Sequence, residues 1–264
     1  MPSEAAVLPE KILSDCPRMG LDDAFAFYCA PGLDCFGRCC HDVSIVLTPY
    51  DVLRLKRAAA LPSTEFLEAY TLCLGAGQKF PVVVLRMNEG DKACPFLSEE
   101  GCGAYSDRPW ACRMYPLGAA EPKNPTPTDQ PFHFVIQETL CHGHGGDARV
   151  TVRDWIASQG AEAYEMMSGG FKELTLHEFW EKDKPLTEQQ AAMFYMACYD
   201  LDRFRRFIFE TRFLQLFEVD ESRVEALRND DLELLEFGMQ WLRFSLFGER
   251  TMKPRRAVPR RNDK

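Results

Sequence analysis

The chain has 264 residues, room for one large domain or two smaller ones, and its 46% apolar content is ordinary for a globular protein. A net charge of −9 argues against a nucleic-acid-binding surface and suits a soluble cytoplasmic protein. No basic stretch followed by an apolar run opens the chain, and no apolar segment approaches the roughly 20 residues of a membrane helix, so no membrane span is expected.

In chain order, a cysteine-rich loop comes first, "FYCAPGLDCFGRCCHD", residues 27–42. "TPYDVLRLKRAA" then predicts a helix, with Thr48 capping its free amides and Pro49 at the first helical position. "STEFLEAYTLCLG" predicts a second helix, started at Ser63 or Thr64 and stopped by Gly75. "FPVVVLRM" and "ACPFL" read as strands on either side of "NEGDK", which holds the turn residues of a hairpin. A second cysteine-rich stretch, "CPFLSEEGCGAYSDRPWACRMYP", follows. The proline-rich "AAEPKNPTPTDQP" reads as a loop, and "PFHFVIQE" alternates like a strand.

Beyond Val150 the pattern changes to amphipathic helices. Thr151 starts one through "VRDWIASQ", and "SGG" at 168–170 is a helix stop. Thr175 with Glu178 and Thr187 with Gln190 each have capping-box spacing. The second box opens a long helical run over residues 191–217, with Phe204, Phe207, Ile208, Leu214 and Phe217 as its buried face. "DDLELLEFGMQWLRFSLF" is the last helix, and the basic, proline-bearing tail is expected to stay disordered. The expected fold is therefore α+β and mainly helical: a cysteine-rich module with a small antiparallel sheet over 20–147, an amphipathic helical region packed on it over 148–250, and the tail over 251–264.

Ten of the eleven cysteines lie between Cys16 and Cys141. Eight form two groups in glycine- and proline-rich loops, where core packing does not account for them: Cys29, Cys35, Cys39 and Cys40, then Cys94, Cys102, Cys112 and Cys141. Structural disulfides are rare in a reducing compartment, and clustered thiols there mean metal, bound as thiolates that select zinc, iron–sulfur clusters or cuprous ion. Gly32, Gly37, Gly101 and Gly103 allow the tight turns of a ligand loop. The adjacent Cys39 and Cys40, if extended, point opposite ways and suit two centres, or one large cluster, better than one small ion. Cys16, Cys73 and Cys198 are assigned no metal role, the last two because they sit in apolar helical contexts. Arg108 and Arg113 are candidates to offset thiolate charge or hold an anion, and Tyr105 to donate toward the site. His41, His142 and His144 carry imidazoles near the cysteines.

The residues Cys94, Pro95, Phe96, Leu97, Gly101, Cys102, Tyr105, Arg108, Pro109, Cys112, Arg113, Tyr115 and Pro116, with Cys35, Cys39 and Cys40 upstream, resemble the YkgJ-type cysteine-cluster family, the CxxCxxCC putative zinc- or iron-chelating domain. The spacing departs from that name, being C-x5-C-x3-CC here. The resemblance covers roughly residues 27–142 and implies metal chelation. One branch of the family resembles flagellin lysine N-methylases.

The expectation that follows is a metal-binding protein holding an iron–sulfur cluster, of four-iron type, with a redox or electron-transfer role and a protein redox partner. The alternatives are a structural zinc module that docks a partner, and a protein-modifying enzyme of the flagellin-methylase type.

Overall fold

The computed structural model describes residues 16–75, 78–120, 131–182 and 185–255. It is mainly helical with several small antiparallel sheets, as expected for the α+β class. The chain divides into two compact units that interleave in sequence. One comprises Met1–Val43 with Met87–Glu165, the other Ser44–Arg86 with Met166–Lys264.

The first unit holds both cysteine stretches. Its core is Phe25, Phe27, Met114, Leu117, Val152, Ile156 and Ala161, with Trp155 and Cys141 packed against it. Two ribbons frame that core. Ala24–Ala26 pairs antiparallel with Arg149–Thr151, and Leu117–Ala120 pairs with Phe132–Val135. The second strand of the latter was expected; the first was not, since Ala119 and Ala120 had been read into the proline-rich loop. The remainder of that loop, 121–130, lies outside the described residues. Thr151 caps the Val152–Ser158 helix by accepting from the Asp154 amide at 3.1 Å, as predicted.

The second unit opens with the Pro49–Ala58 helix, where Thr48 and Asp51 form a full capping box. The next helix is shorter than expected: Ser63–Tyr70 follows Pro62, and Thr71–Leu74 continues as a strand. That strand and Val46–Leu47 take the two edges of Val82–Leu85. The predicted hairpin across residues 88–92 is therefore not the one formed. The turn exists, closed by the Asn88 amide on the Ala93 carbonyl at 2.9 Å, but the chain beyond it pairs elsewhere.

The helical run divides at Asp200 and Thr211 into Glu188–Cys198, Leu201–Glu210 and Phe213–Leu216. Thr187 and Gln190 make the predicted capping box. Thr175 and Glu178 do not, because Thr175 ends the Gly169–Thr175 helix and donates back to the Phe171 carbonyl at 2.9 Å. Residues 168–170 both stop a helix at Met167 and begin that one. Phe204 and Ile208 are buried as expected, while Phe207, Leu214 and Phe217 are half-buried. Asp231–Leu242 forms the last helix and continues as a wider turn through Phe247. The start of the tail is ordered, with the Arg255 amide bonded to the Leu216 carbonyl at 2.7 Å; residues 256–264 lie outside the described set.

Buried polar contacts tie Ser44–Arg86 into this helical unit. The Ser63 hydroxyl donates to Asp200 at 2.8 Å, the Ser63 amide donates to Asp202 at 2.6 Å, and Lys56 pairs with Asp231 at 2.9 Å. The division drawn on the sequence at 147/148 had grouped this segment with the cysteine loops.

Candidate metal centre

The first cysteine loop leaves the core at Phe27, whose ring packs edge-on against Trp155 and Tyr115 with centroids 5.3 and 6.0 Å apart. The Tyr28 amide donates to the Gly143 carbonyl at 2.9 Å, and the His142 amide donates to the sulfur of Cys35 at 3.3 Å. These two bonds bring the Cys29–Cys35 part of the loop onto the segment that carries Cys141. Gly143 is needed there, since a Cβ would stand 2.7 Å from the Tyr28 carbonyl oxygen and 2.8 Å from the Phe27 ring. The Cys29 thiol is pushed up by burial and by the neighbouring thiols of Cys39, Cys141 and Cys35.

The loop then turns at Gly37, whose φ of 79° lies in the left-handed region, into a single 3-10 turn, Arg38–Cys40. Past that turn Cys40–Asp42 runs antiparallel to Lys92–Cys94. The Cys94 amide donates to the Cys40 carbonyl at 2.8 Å, and the Asp42 amide to the Lys92 carbonyl at 2.9 Å. Cys94 is followed by a tight ribbon in which Leu97 pairs with Cys102. Burial and the Cys102 thiol push Cys94 up, and the nearby backbone amides of Phe96 and Leu97 oppose the rise. Cys112 lies on the short Trp110–Met114 helix, and both it and Cys94 are electrostatic neighbours of Cys40.

Cys39 and Cys40 are not extended, as the sequence reading had them. They lie in a single 3-10 turn, in which successive residues are about 120° apart around the axis. Their sulfurs also touch. A hydrogen bond from Cys40 holds the Cys39 thiol down to about 7 against its burial, and the same bond pushes Cys40 up. The pair thus loses its first proton easily and resists losing the second.

The two arginines have different surroundings. Arg113 is buried, and its guanidinium donates to the carbonyls of Arg108 (3.0 Å), Gln159 (2.6 Å) and Ser106 (2.5 Å) and to the Tyr164 hydroxyl (3.2 Å). Its donors are spent on holding the loop before Cys112. Arg108 donates to the Tyr105 carbonyl and the Gln159 side chain, both at 2.6 Å, and lies over the Tyr105 ring at 3.8 Å. Burial lowers its pKa, against the opposing pull of Tyr105, Cys102 and Cys112, so a cation stands beside two of the candidate ligands. Tyr115, which the sequence offers with Tyr105 as a donor toward the sulfurs, bonds Cys141 and donates to Glu138 at 3.3 Å; burial first, and then the Cys141 bond, raise its pKa.

Cys198 is fully buried on its helix. Cys73 is exposed on the Thr71–Leu74 strand, which corrects the helical, buried environment expected for it. Asp34 was missed by the sequence reading. Its carboxylate meets His142 Nδ1 at 2.7 Å, and Asp34, Cys35 and His142 offer three ligand atoms within 4.8 Å of one another. Aspartate before a loop cysteine has no distinctive spacing, so no signal in the sequence marks it. The His144 ring lies tilted against Phe27 with centroids 5.2 Å apart, and its buried Nε2 has no hydrogen-bond partner among the described residues.

The donor set is soft and anionic, with amides and an arginine placed to stabilise thiolate charge, so the residues present fit a thiolate-bound metal. Fold and site together define a cysteine-ligand metal-binding module. Residues 28–141 match the family model CxxCxxCC, described as a putative zinc- or iron-chelating domain. No curated protein and no solved structure matches the chain.

Proposed function

We propose that the cysteine loops hold an iron–sulfur centre, of four-iron type, and that the protein passes electrons through it to a protein partner. The observation that carries this reading is the spacing of the thiols. A lone tetrahedral ion with bonds of about 2.3 Å needs its sulfurs about 3.8 Å apart. Among the described residues, the group of three whose ligand atoms lie within 4.8 Å of one another contains only one cysteine, Cys35. A centre with several metal atoms can take ligands from thiols that are not gathered around one ion, and so uses more of the eight. Cys29 and Cys39 are exposed, which would put such a centre close to the surface where a redox partner could approach. Amides beside the sulfurs of Cys35 and Cys94 would stabilise the added charge of a reduced centre.

A second reading, zinc, draws on the compact group Asp34, Cys35 and His142, whose mixed ligands suit a single ion. Anaerobic purification separates the two. Brown protein with matching iron and acid-labile sulfide supports the iron–sulfur reading. Colourless protein holding zinc overturns it, and a chain with no metal overturns both.

A further inference from the structure

We propose that the eight thiols form two separate four-thiolate centres, divided between the adjacent residues Cys39 and Cys40: Cys29, Cys35, Cys39 and Cys141 hold one, and Cys40, Cys94, Cys102 and Cys112 hold the other. The inference rests on the metal-binding reading above and adds the number of centres and the ligands of each.

The division follows the backbone. The first set is gathered by one stitch, Tyr28 to Gly143 and His142 to the Cys35 sulfur, which lays the beginning of the loop on the segment after Cys141. The second set is gathered by a different stitch, in which Cys40–Asp42 pairs with Lys92–Cys94. The Leu97–Cys102 ribbon then folds Cys102 back toward Cys94, with the Leu97 amide on the Cys94 carbonyl at 2.9 Å. The two stitches use opposite ends of one loop. The 3-10 turn stands between them, so Cys39 ends the part of the loop laid on the Cys141 segment, and Cys40 begins the part paired with Lys92–Cys94.

The polar surroundings divide in the same way. Arg108 stands beside Cys102 and Cys112, whereas Tyr115 and the His142 amide serve Cys141 and Cys35. Each set is thus provided with its own partners. A single centre with four ligands would leave four thiols of this arrangement without a role, and one ion cannot accept eight.

The test is metal stoichiometry of the anaerobically purified full chain. The wild-type protein is expected to carry two centres, about eight iron with equal sulfide, or two zinc. Cys29→Ala and Cys40→Ala should each retain half of that metal. The double variant Cys29→Ala/Cys39→Ala removes two ligands of one set and should still retain half. The double variant Cys29→Ala/Cys40→Ala cuts both sets and should retain none. Cys39 and Cys40 are neighbours in the chain, so a general folding defect would affect both doubles alike, and circular dichroism of the helices checks this directly. Equal loss in the two doubles with the helices intact, or complete loss in either single variant, overturns the division. So does a wild-type count of one centre, which needs no variant. A wild-type chain without metal instead overturns the reading on which the division rests.

Discussion

Arg113 shows how one side chain can hold a ligand loop without touching the ligand. Its guanidinium satisfies three carbonyls, one of them in a buried contact, and a tyrosine hydroxyl, and lies over the Tyr164 ring at 4.4 Å. Planar geometry with five donors makes this possible, and an ammonium group cannot reproduce it. Replacing Arg113 with methionine leaves those carbonyls without their donor, the Arg108 carbonyl in a buried place, which should cost about 1–3 kcal/mol of stability in thermal or denaturant unfolding. Arg113→Lys should recover little of that loss. If lysine restored the wild-type midpoint, charge alone rather than the fork of donors would be what holds the loop. Arg108, by contrast, has Cys102 and Cys112 as electrostatic neighbours, so its replacement should act on the metal site before it acts on the fold.

At the scale of elements, the helical unit is joined by charges as well as by apolar faces. Lys56 is nearly buried and meets Asp231 at 2.9 Å and Asp202 at 3.8 Å, and Arg205 meets Asp231 at 2.5 Å and Asp202 at 3.2 Å. Burial alone would push both carboxyls up. For Asp231 the bonds from Arg205 and Lys56 outweigh it, and for Asp202 the Ser63 amide and Lys56 do so, so both lie below the usual carboxylate range. A carboxyl whose pKa is lowered on folding contributes stability above its unfolded pKa, and that contribution disappears as pH falls through the folded value. The unit should therefore lose stability as pH drops below about 4, the ordinary carboxylate value. Asp231→Asn should lower stability at neutral pH and flatten that acid slope, as measured by denaturant unfolding at a series of pH values. An unchanged slope in the variant would show that Asp231 is not among the groups responsible.

For the whole molecule, the interleaving of the two units determines what metal removal should do. The cysteine unit has a seven-residue buried apolar cluster and long loops, and it loses much conformational entropy when those loops are ordered. Metal bound only by the native thiolates adds directly to its folding free energy. The helical unit has buried anchors of its own, such as Phe66, Phe194, Phe204 and Leu234. Removing the metal should therefore raise hydrogen exchange in residues 16–43 and 87–165. Residues 44–86, although they lie between the two cysteine stretches in sequence, should stay protected together with 166–255. Equal exchange with and without metal across the cysteine unit would mean that the thiols are packed groups rather than a structural site. Loss of protection in 44–86 along with the loops would mean that the units do not unfold independently.

Features that depend on a few neighbouring residues could be read from the sequence alone. The cap at Thr48 and the box at Thr187 formed because they need only residues up to three positions away, and the inventory of eight thiols in glycine-rich loops pointed to metal for reasons of composition. The α+β class followed from the change of period after Val150. Tertiary structure decided what distant segments compete for. Val82–Leu85 paired with Val46–Leu47 and Thr71–Leu74 instead of the strand beyond its own turn, leaving Lys92–Cys94 free to take Cys40–Asp42 as its partner. The Ser63–Asp200 bond spans 137 residues, and the His142–Cys35 bond spans 107. No local pattern encodes such pairs, because their free energy appears only when the intervening chain has already been folded back. For that reason the sequence could name the thiols, while the backbone pairings that gather them on either side of the 3-10 turn at Arg38–Cys40 appeared only in the tertiary structure.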